Sequence, residues 1–327
     1  MQEARLPLQF AVILSRRLFI GLVAAAFLVK GPLAIAAQSF IVVDSQTGYI
    51  LQEEKSKDKH QVGSLTKVAT ACVVLDWAEH KGGNLNQAVV ISPQAFVGTH
   101  ENNIGFQPGD EITLRDLLYA ALVQSDNIAA FTLADFVGST ISPTVQPPSG
   151  QKLGPVDIFV TEMNALARQL NMQHTRFVNP HGIDENVKPL PYSTAEDLAR
   201  LSRYALNKAS FRFYVSQKER QISFHRGKRE LHYLLRNTNE LLGSHGIDGV
   251  KTGRTARAGD CLILSANRES QIVPEGGGVR IFPRHLIVVL LGSANRFGEG
   301  AQLIAQGWQL YDQWASSGRP GDPKKML

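Results

Sequence analysis

Only two cysteines occur in 327 residues, too few for a disulfide scaffold. Cys72 falls on a predicted helix, and Cys261 in the apolar run Cys261-Leu262-Ile263-Leu264. Two readings stay open for them: buried free thiols, or a single bridge in an oxidising compartment. Aromatic residues make up 8% of the chain, and no charge run or low-complexity tract marks a disordered segment. No internal repeat is present. The nine histidines include no His-Glu-x-x-His or comparable spacing, so neither a metal site nor a cofactor is expected. The apolar run Leu18–Val29 is about a dozen residues, short of the roughly 20 that a membrane-spanning helix needs.

What the chain does have is a 43% hydrophobic, 19% charged composition, which suits one large or two modest globular domains. Residues 1–36 read as an export signal. Arg16 and Arg17 precede the apolar run, and Ala34-Ile35-Ala36 supplies small residues for cleavage. Ser15-Arg16-Arg17-Leu18-Phe19 also fits a twin-arginine signal. Secretory and twin-arginine export both stay open, and a membrane partner is expected only if the signal is left uncleaved. The segment carries a net +3 of the chain's +5. The remainder, at about +2, has no nucleic-acid footprint.

Ser39–Asp44 and 48–52 read as a strand pair. The stretch Leu65–Lys81 is apolar nearly all round, the pattern of a helix inside a core. Thr113 is placed to cap a second helix, and a third follows Asn127. Residues 139–155 form a Pro/Gly/Ser loop, with helices predicted at 156–170 and 194–207. From Gln221 strands take over: a hairpin over 222–235, then 259–266 and 285–291, with Gly276-Gly277-Gly278 turning between the last two. A closing helix spans 298–314. Strands at both chain ends around a helical middle predict an α+β fold, with one antiparallel sheet joining the first and last strands and helices on both faces.

Three polar motifs stand in order: Ser64-Leu65-Thr66-Lys67, Ser125-Asp126-Asn127 and Lys251-Thr252-Gly253. On a helix, residues 64 and 67 share one face. A serine hydroxyl is a poor nucleophile until a base takes its proton. Lys67 can do so when neutral, which burial and a second cation such as Lys251 would favour. Ser125 can relay a proton, and the Asn127 amide can hold substrate and Lys67. Thr252 and Lys251 can bind a carboxylate, with Gly253 permitting close backbone approach. Each motif also has a plain reading: chance spacing, a helix cap, or a turn entering a strand.

The conjunction brings a resemblance, carried by Val62-Gly63-Ser64-Leu65-Thr66-Lys67, Gln107-Pro108-Gly109-Asp110, Leu117-Leu118-Tyr119, Asn179-Pro180-His181-Gly182, 192–197 (YSTAED) and 249–259 (GVKTGRTARAG). Over roughly residues 37–314 the chain resembles the serine-type D-Ala-D-Ala carboxypeptidases, the low-molecular-mass penicillin-binding proteins. The resemblance implies a β-lactamase/DD-peptidase-like α+β fold, peptidoglycan stem peptides and β-lactam antibiotics as ligands, and a place in the periplasm or cell envelope. It implies Ser64 as acylated nucleophile, Lys67 as its base, and Ser125 and Lys251 as the path for the leaving group's proton. Asn127, Thr252, Gly253, Arg254, Thr255 and Arg296 become substrate-binding positions, with the Ser64 and Arg254 N–H groups forming the oxyanion hole. His181 is expected to be structural.

Three features depart from the family pattern. Asp126 and Ile128 stand where relatives often have Gly and Asp. Arg254 follows the third motif. The expected DD-peptidase domain at 37–315 is followed only by a polar tail, 316–327, without the C-terminal β domain and anchor helix of many relatives. D,D-endopeptidase action on cross-links is the nearest alternative. A β-lactamase would need a Glu-x-x-Leu-Asn segment that is absent between the second and third motifs. A non-catalytic penicillin-binding module would have lost part of the proton relay.

Overall fold

Ser39–Asp44 (β1) is buried at all six positions, because it lies inside a sheet covered on both faces. β1 pairs on one side with Ile50–Glu54 (β2) and on the other with the penultimate element of the chain. In the computed structural model, which describes residues 35–99, 101–141 and 153–327, the elements then run in order. They are α1 (Lys67–Lys81), β3 (Ala88–Val90), β4 (Glu111–Thr113), α2 (Leu114–Val123), α3 (Asn127–Thr140), α4 (Pro155–Gln169), α5 (Ala195–Asn207) and α6 (Ala209–Val215). β5 (Glu219–Arg226), β6 (Arg229–Arg236), β7 (Ile247–Thr255), β8 (Gly259–Glu275), β9 (Gly278–Ser293) and α7 (Arg296–Ser316) complete the chain. The expected export signal and most of the Pro/Gly/Ser loop fall outside the described residues.

The main sheet has the order β2-β1-β9-β8-β7 and is antiparallel throughout. First and last strands meet as the sequence predicts, in an α+β architecture. β1 and the inner halves of β8 and β9 are continuous apolar runs because both faces are covered there. Side chains alternate across the sheet with a period of two. Ile41, Val43, Ile263, Ile287 and Val289 join the large core under the helices. Val42 and Leu286 lie under Gly307, and Leu262 and Leu264 under Gly300, both glycines of α7. The chain end docks on this layer: Leu327 N–H donates to Gly48 O at 3.1 Å, and Tyr49 stacks on Trp314.

Two expectations need correction. The hairpin over 222–235 does not enter the main sheet. It forms β5–β6 of a second, four-stranded sheet, β3-β4-β5-β6, with two three-residue strands too short to show periodicity. Ile222 and Phe224 turn one face of β5 inward, against α2. The strands around Gly276-Gly277-Gly278 are also longer than predicted, and their outer halves form an exposed arm with Ile272 and Ile281 paired across it. The α1 core segment matches its sequence reading: Lys67 to Leu75 are all buried.

Candidate active site

Gly63–Thr66 forms a 3-10 turn immediately before α1. Ser64 therefore sits on this turn, while Lys67 opens the helix proper. Three contacts meet at Lys67 Nζ: Ser64 Oγ at 2.9 Å, Asn127 Oδ1 at 2.7 Å and His181 O at 3.1 Å. Lys67 has no exposed surface. Burial pushes its pKa down to about 7, against the opposing charges of Asp126 and Glu101. As a neutral amine it keeps two N–H donors and one lone pair. The two carbonyl oxygens only accept, so they take the two hydrogens. In that neutral form the lone pair is left for Ser64 Oγ, an arrangement that would permit proton transfer from that hydroxyl.

The second motif serves both as cap and as cleft wall. Asp126 caps α3, its Oδ1 accepting from Ala129 N–H at 2.7 Å. Burial raises the Asp126 carboxyl to about 6. Asn127 is the first residue of α3, which aims its amide at Lys67. Ser125 takes a left-handed backbone, φ 67°, in the break between α2 and α3, a conformation that costs a non-glycine residue and is common at functional sites. Its hydroxyl makes no hydrogen bond to either lysine among the described residues.

The third motif lies within β7, not ahead of a strand as the sequence suggested. Lys251 is 1% exposed, and its Nζ donates to Thr252 O at 3.0 Å. Burial, then the charges of Lys67 and Arg296, hold its pKa well below the ordinary value. Burial is the main cause that lowers Lys67, and the two buried ammonium groups repel one another, so that each disfavours the other's charge. Thr252 Oγ1 meets Thr238 Oγ1 at 2.6 Å. Arg296 Nη1 donates to Gly253 O at 3.1 Å and approaches Asp260 Oδ1 at 3.4 Å. Thr255 Oγ1 donates to Asp184 Oδ2 at 2.7 Å.

Glycine makes these segments converge. A Cβ on Gly182 (φ 89°) would lie 1.9 Å from Gly63 O, and one on Gly253 would lie 2.6 Å from Val62 O. The 3-10 turn is wedged between the 182 loop and β7, and a Cβ on Gly63 would come within 3.1 Å of Arg254 N. In the smaller sheet Arg226 Nε and Nη2 bind Asp110 Oδ1 and Oδ2 at 2.8 Å each. Asp110 has no exposed surface.

Ser64, Ser125, Asn127, Thr252, Gly253, Arg254, Thr255 and Arg296 all line one cleft of about 1200 Å³. Lys67 and Lys251 are buried next to these lining residues. His181 contributes its carbonyl. Its imidazole accepts from Ile183 N–H through Nδ1 at 3.2 Å, and burial and the Lys67 charge lower its pKa to about 3. Thr238, Asp184, Asp260 and Glu101 also line this cleft and escaped the sequence reading. No short motif surrounds any of them. Among the described residues Asp76, Glu79 and His80 form a cluster of potential metal ligands, but Lys208 Nζ already lies 2.7 Å from both carboxylates. Both cysteines are buried and free.

A protein-family model described as D-alanyl-D-alanine carboxypeptidase (peptidase S11) matches residues 26–273. With the fold and motifs above, the chain belongs to this family. It is 29% identical over 299 residues to the D-alanyl-D-alanine carboxypeptidase DacC of Escherichia coli K12, covering 88% of this chain and 65% of that one. It is 33% identical to a D-alanyl-D-alanine endopeptidase of Pseudomonas aeruginosa, over 70% of this chain and 67% of that relative. The solved DD-transpeptidase of Streptomyces K15 superposes with a TM-score of 0.70 at 27% identity, covering 85% of this chain and 99% of that one. The chain thus spans just under two thirds of the E. coli relative's length. Among the described residues no helix is long and apolar enough to cross a membrane.

Proposed function

We propose that this protein is a serine D-alanyl-D-alanine carboxypeptidase that trims peptidoglycan stem peptides through an acyl-enzyme and is acylated by β-lactams at the same serine. Lys67 Nζ takes the Ser64 proton as Oγ attacks the penultimate D-alanine carbonyl. The N–H groups of Ser64 and Arg254 hold the resulting oxyanion, where losing one donor costs about 2.7–4 kcal/mol of barrier. Ser125 and Lys251 pass a proton to the departing D-alanine nitrogen, and water then releases the shortened peptide from Ser64. Asn127 and the β7 backbone from Thr252 to Thr255 align the peptide, and Thr252 with Arg296 holds its terminal carboxylate. The envelope is the expected workplace, with residues 1–36 as the export signal.

The observation that carries this reading is the buried Lys67 Nζ, 2.9 Å from Ser64 Oγ and held in place by Asn127 Oδ1 and His181 O. Mass spectrometry of the benzylpenicillin adduct tests it. One penicilloyl group should map to the peptide containing Ser64, and Ser64→Ala should lose both the adduct and release of D-alanine while keeping its fold. An intact protein that gains no penicilloyl mass would refute the reading. Endopeptidase action on cross-links is the second reading, favoured by the similarity to the Pseudomonas endopeptidase. Comparing free D-alanine released from a pentapeptide with monomer released from a cross-linked dimer separates the two.

A further inference from the structure

The carboxylate end of the cleft contains a charge that neither the motifs nor the proposed reaction uses. Asp260 opens β8 opposite Arg254 in the β7–β8 register. Its Oδ1 lies 3.4 Å from Arg254 Nε and 3.4 Å from Arg296 Nη1. The two arginines come from different elements, β7 and the first turn of α7, and share no other side-chain partner. Arg296 is 18% exposed, stacks on Phe297 and has its buried Nε unpartnered. Arg254 is 77% exposed, and among the described residues Asp260 is its one ion-pair partner. An exposed ion pair contributes little stability. A carboxylate placed between two guanidinium groups is better suited to orienting them.

We propose that Asp260 is a positioning residue that gathers Arg254 and Arg296 into a two-arginine clamp for the substrate's terminal carboxylate. Guanidinium groups bind carboxylates best when two N–H bonds are aligned, and Asp260, contacting both arginines, supplies that alignment. It also offsets one of the two positive charges, so the clamp binds one carboxylate rather than collecting unrelated anions. The proposal deepens the carboxypeptidase reading and rests on it.

The test compares a D-Ala-D-Ala-terminated peptide with the same peptide ending in a carboxamide. Asp260→Asn should raise KM for the free acid about tenfold with kcat nearly unchanged, a loss of ground-state binding. KM for the carboxamide should stay within about twofold, so discrimination between the two narrows about tenfold. Asp260→Glu keeps the charge but shifts it by one methylene, should fall between, and carries the test if Asp260→Asn does not fold. A variant that discriminates like the parent, or that binds the free acid more tightly because positive charge has increased, overturns the proposal. Stoichiometric penicillin labelling of Ser64 is measured on the same samples. Its absence in the parent protein sinks the carboxypeptidase reading, while its presence alongside unchanged discrimination sinks only the clamp.

Discussion

The two ends of the cleft use cations in opposite ways. At the nucleophile end Lys67 and Lys251 are fully buried and hold their protons weakly. At the other end Arg254 and Arg296 line the cleft beside Asp260. An ammonium desolvated in a core gives up its proton, whereas a guanidinium keeps its own in any protein setting. Under the proposed reaction, lysine at one end and arginine at the other divide the labour between moving a proton and holding an anion. The same formal charge becomes a base or an anchor according to burial and side-chain chemistry.

The division is broken most sharply at Lys67. Lys67→Met should slow acylation by benzylpenicillin by about 10³-fold, in the range for loss of a general base, and stopped-flow or quenched labelling measures it. An acylation rate near the parent's would remove Lys67 as the base. The unfolded lysine keeps its proton up to 10.5 while the native one releases it near 7. The native state therefore binds fewer protons across that window, and stability rises with pH from about 7 to 10.5. Below it the cost of burying Lys67 is fully felt. Lys67→Met should then be as stable as the parent at neutral pH, or more stable by up to about 4 kcal/mol; chemical denaturation settles the sign.

The pH profile sharpens the contrast. Acylation should fall about tenfold per pH unit below an acid limb near 7, because protonating Lys67 removes the lone pair facing Ser64. Substrate KM, which the proposed function assigns to the arginines, should show no such limb between pH 6 and about 9. Arg296→Met comes next in size. It should raise KM for carboxylate-terminated peptides about tenfold and leave the acid limb in place. The smallest expected effect lies outside the cleft lining: Asp110→Asn should cost about 1–3 kcal/mol of stability by weakening the Arg226 pair, read as a lower melting temperature with the Ser64 adduct still forming.

Most of the cleft was legible because its chemistry sits in short, ordered motifs. Ser64, Lys67, Asn127, Lys251 and Thr252 could each be named from local spacing, and the apolar runs around Val42, Ile263 and Val288 betrayed strands buried on both faces. What escaped depends on tertiary approach. Asp260 gains meaning only when α7 brings Arg296 alongside β7, and Thr238 only when it meets Thr252 across a loop. The second sheet stayed hidden because β3 and β4 have three residues each, less than two periods of any pattern. The full burial of both lysines could not be read either, since spacing reveals proximity and not depth.

The placement of β1 also constrains how the polypeptide can be made. Its buried partner β9 lies roughly 240–250 residues downstream, a separation that delays closure of the sheet. Until residues 286–291 have emerged, the SFIVVD strand offers an open apolar edge to whatever it meets. Ribosome products arrested before that point cannot complete the sheet, and chaperones or proteases are their expected fate.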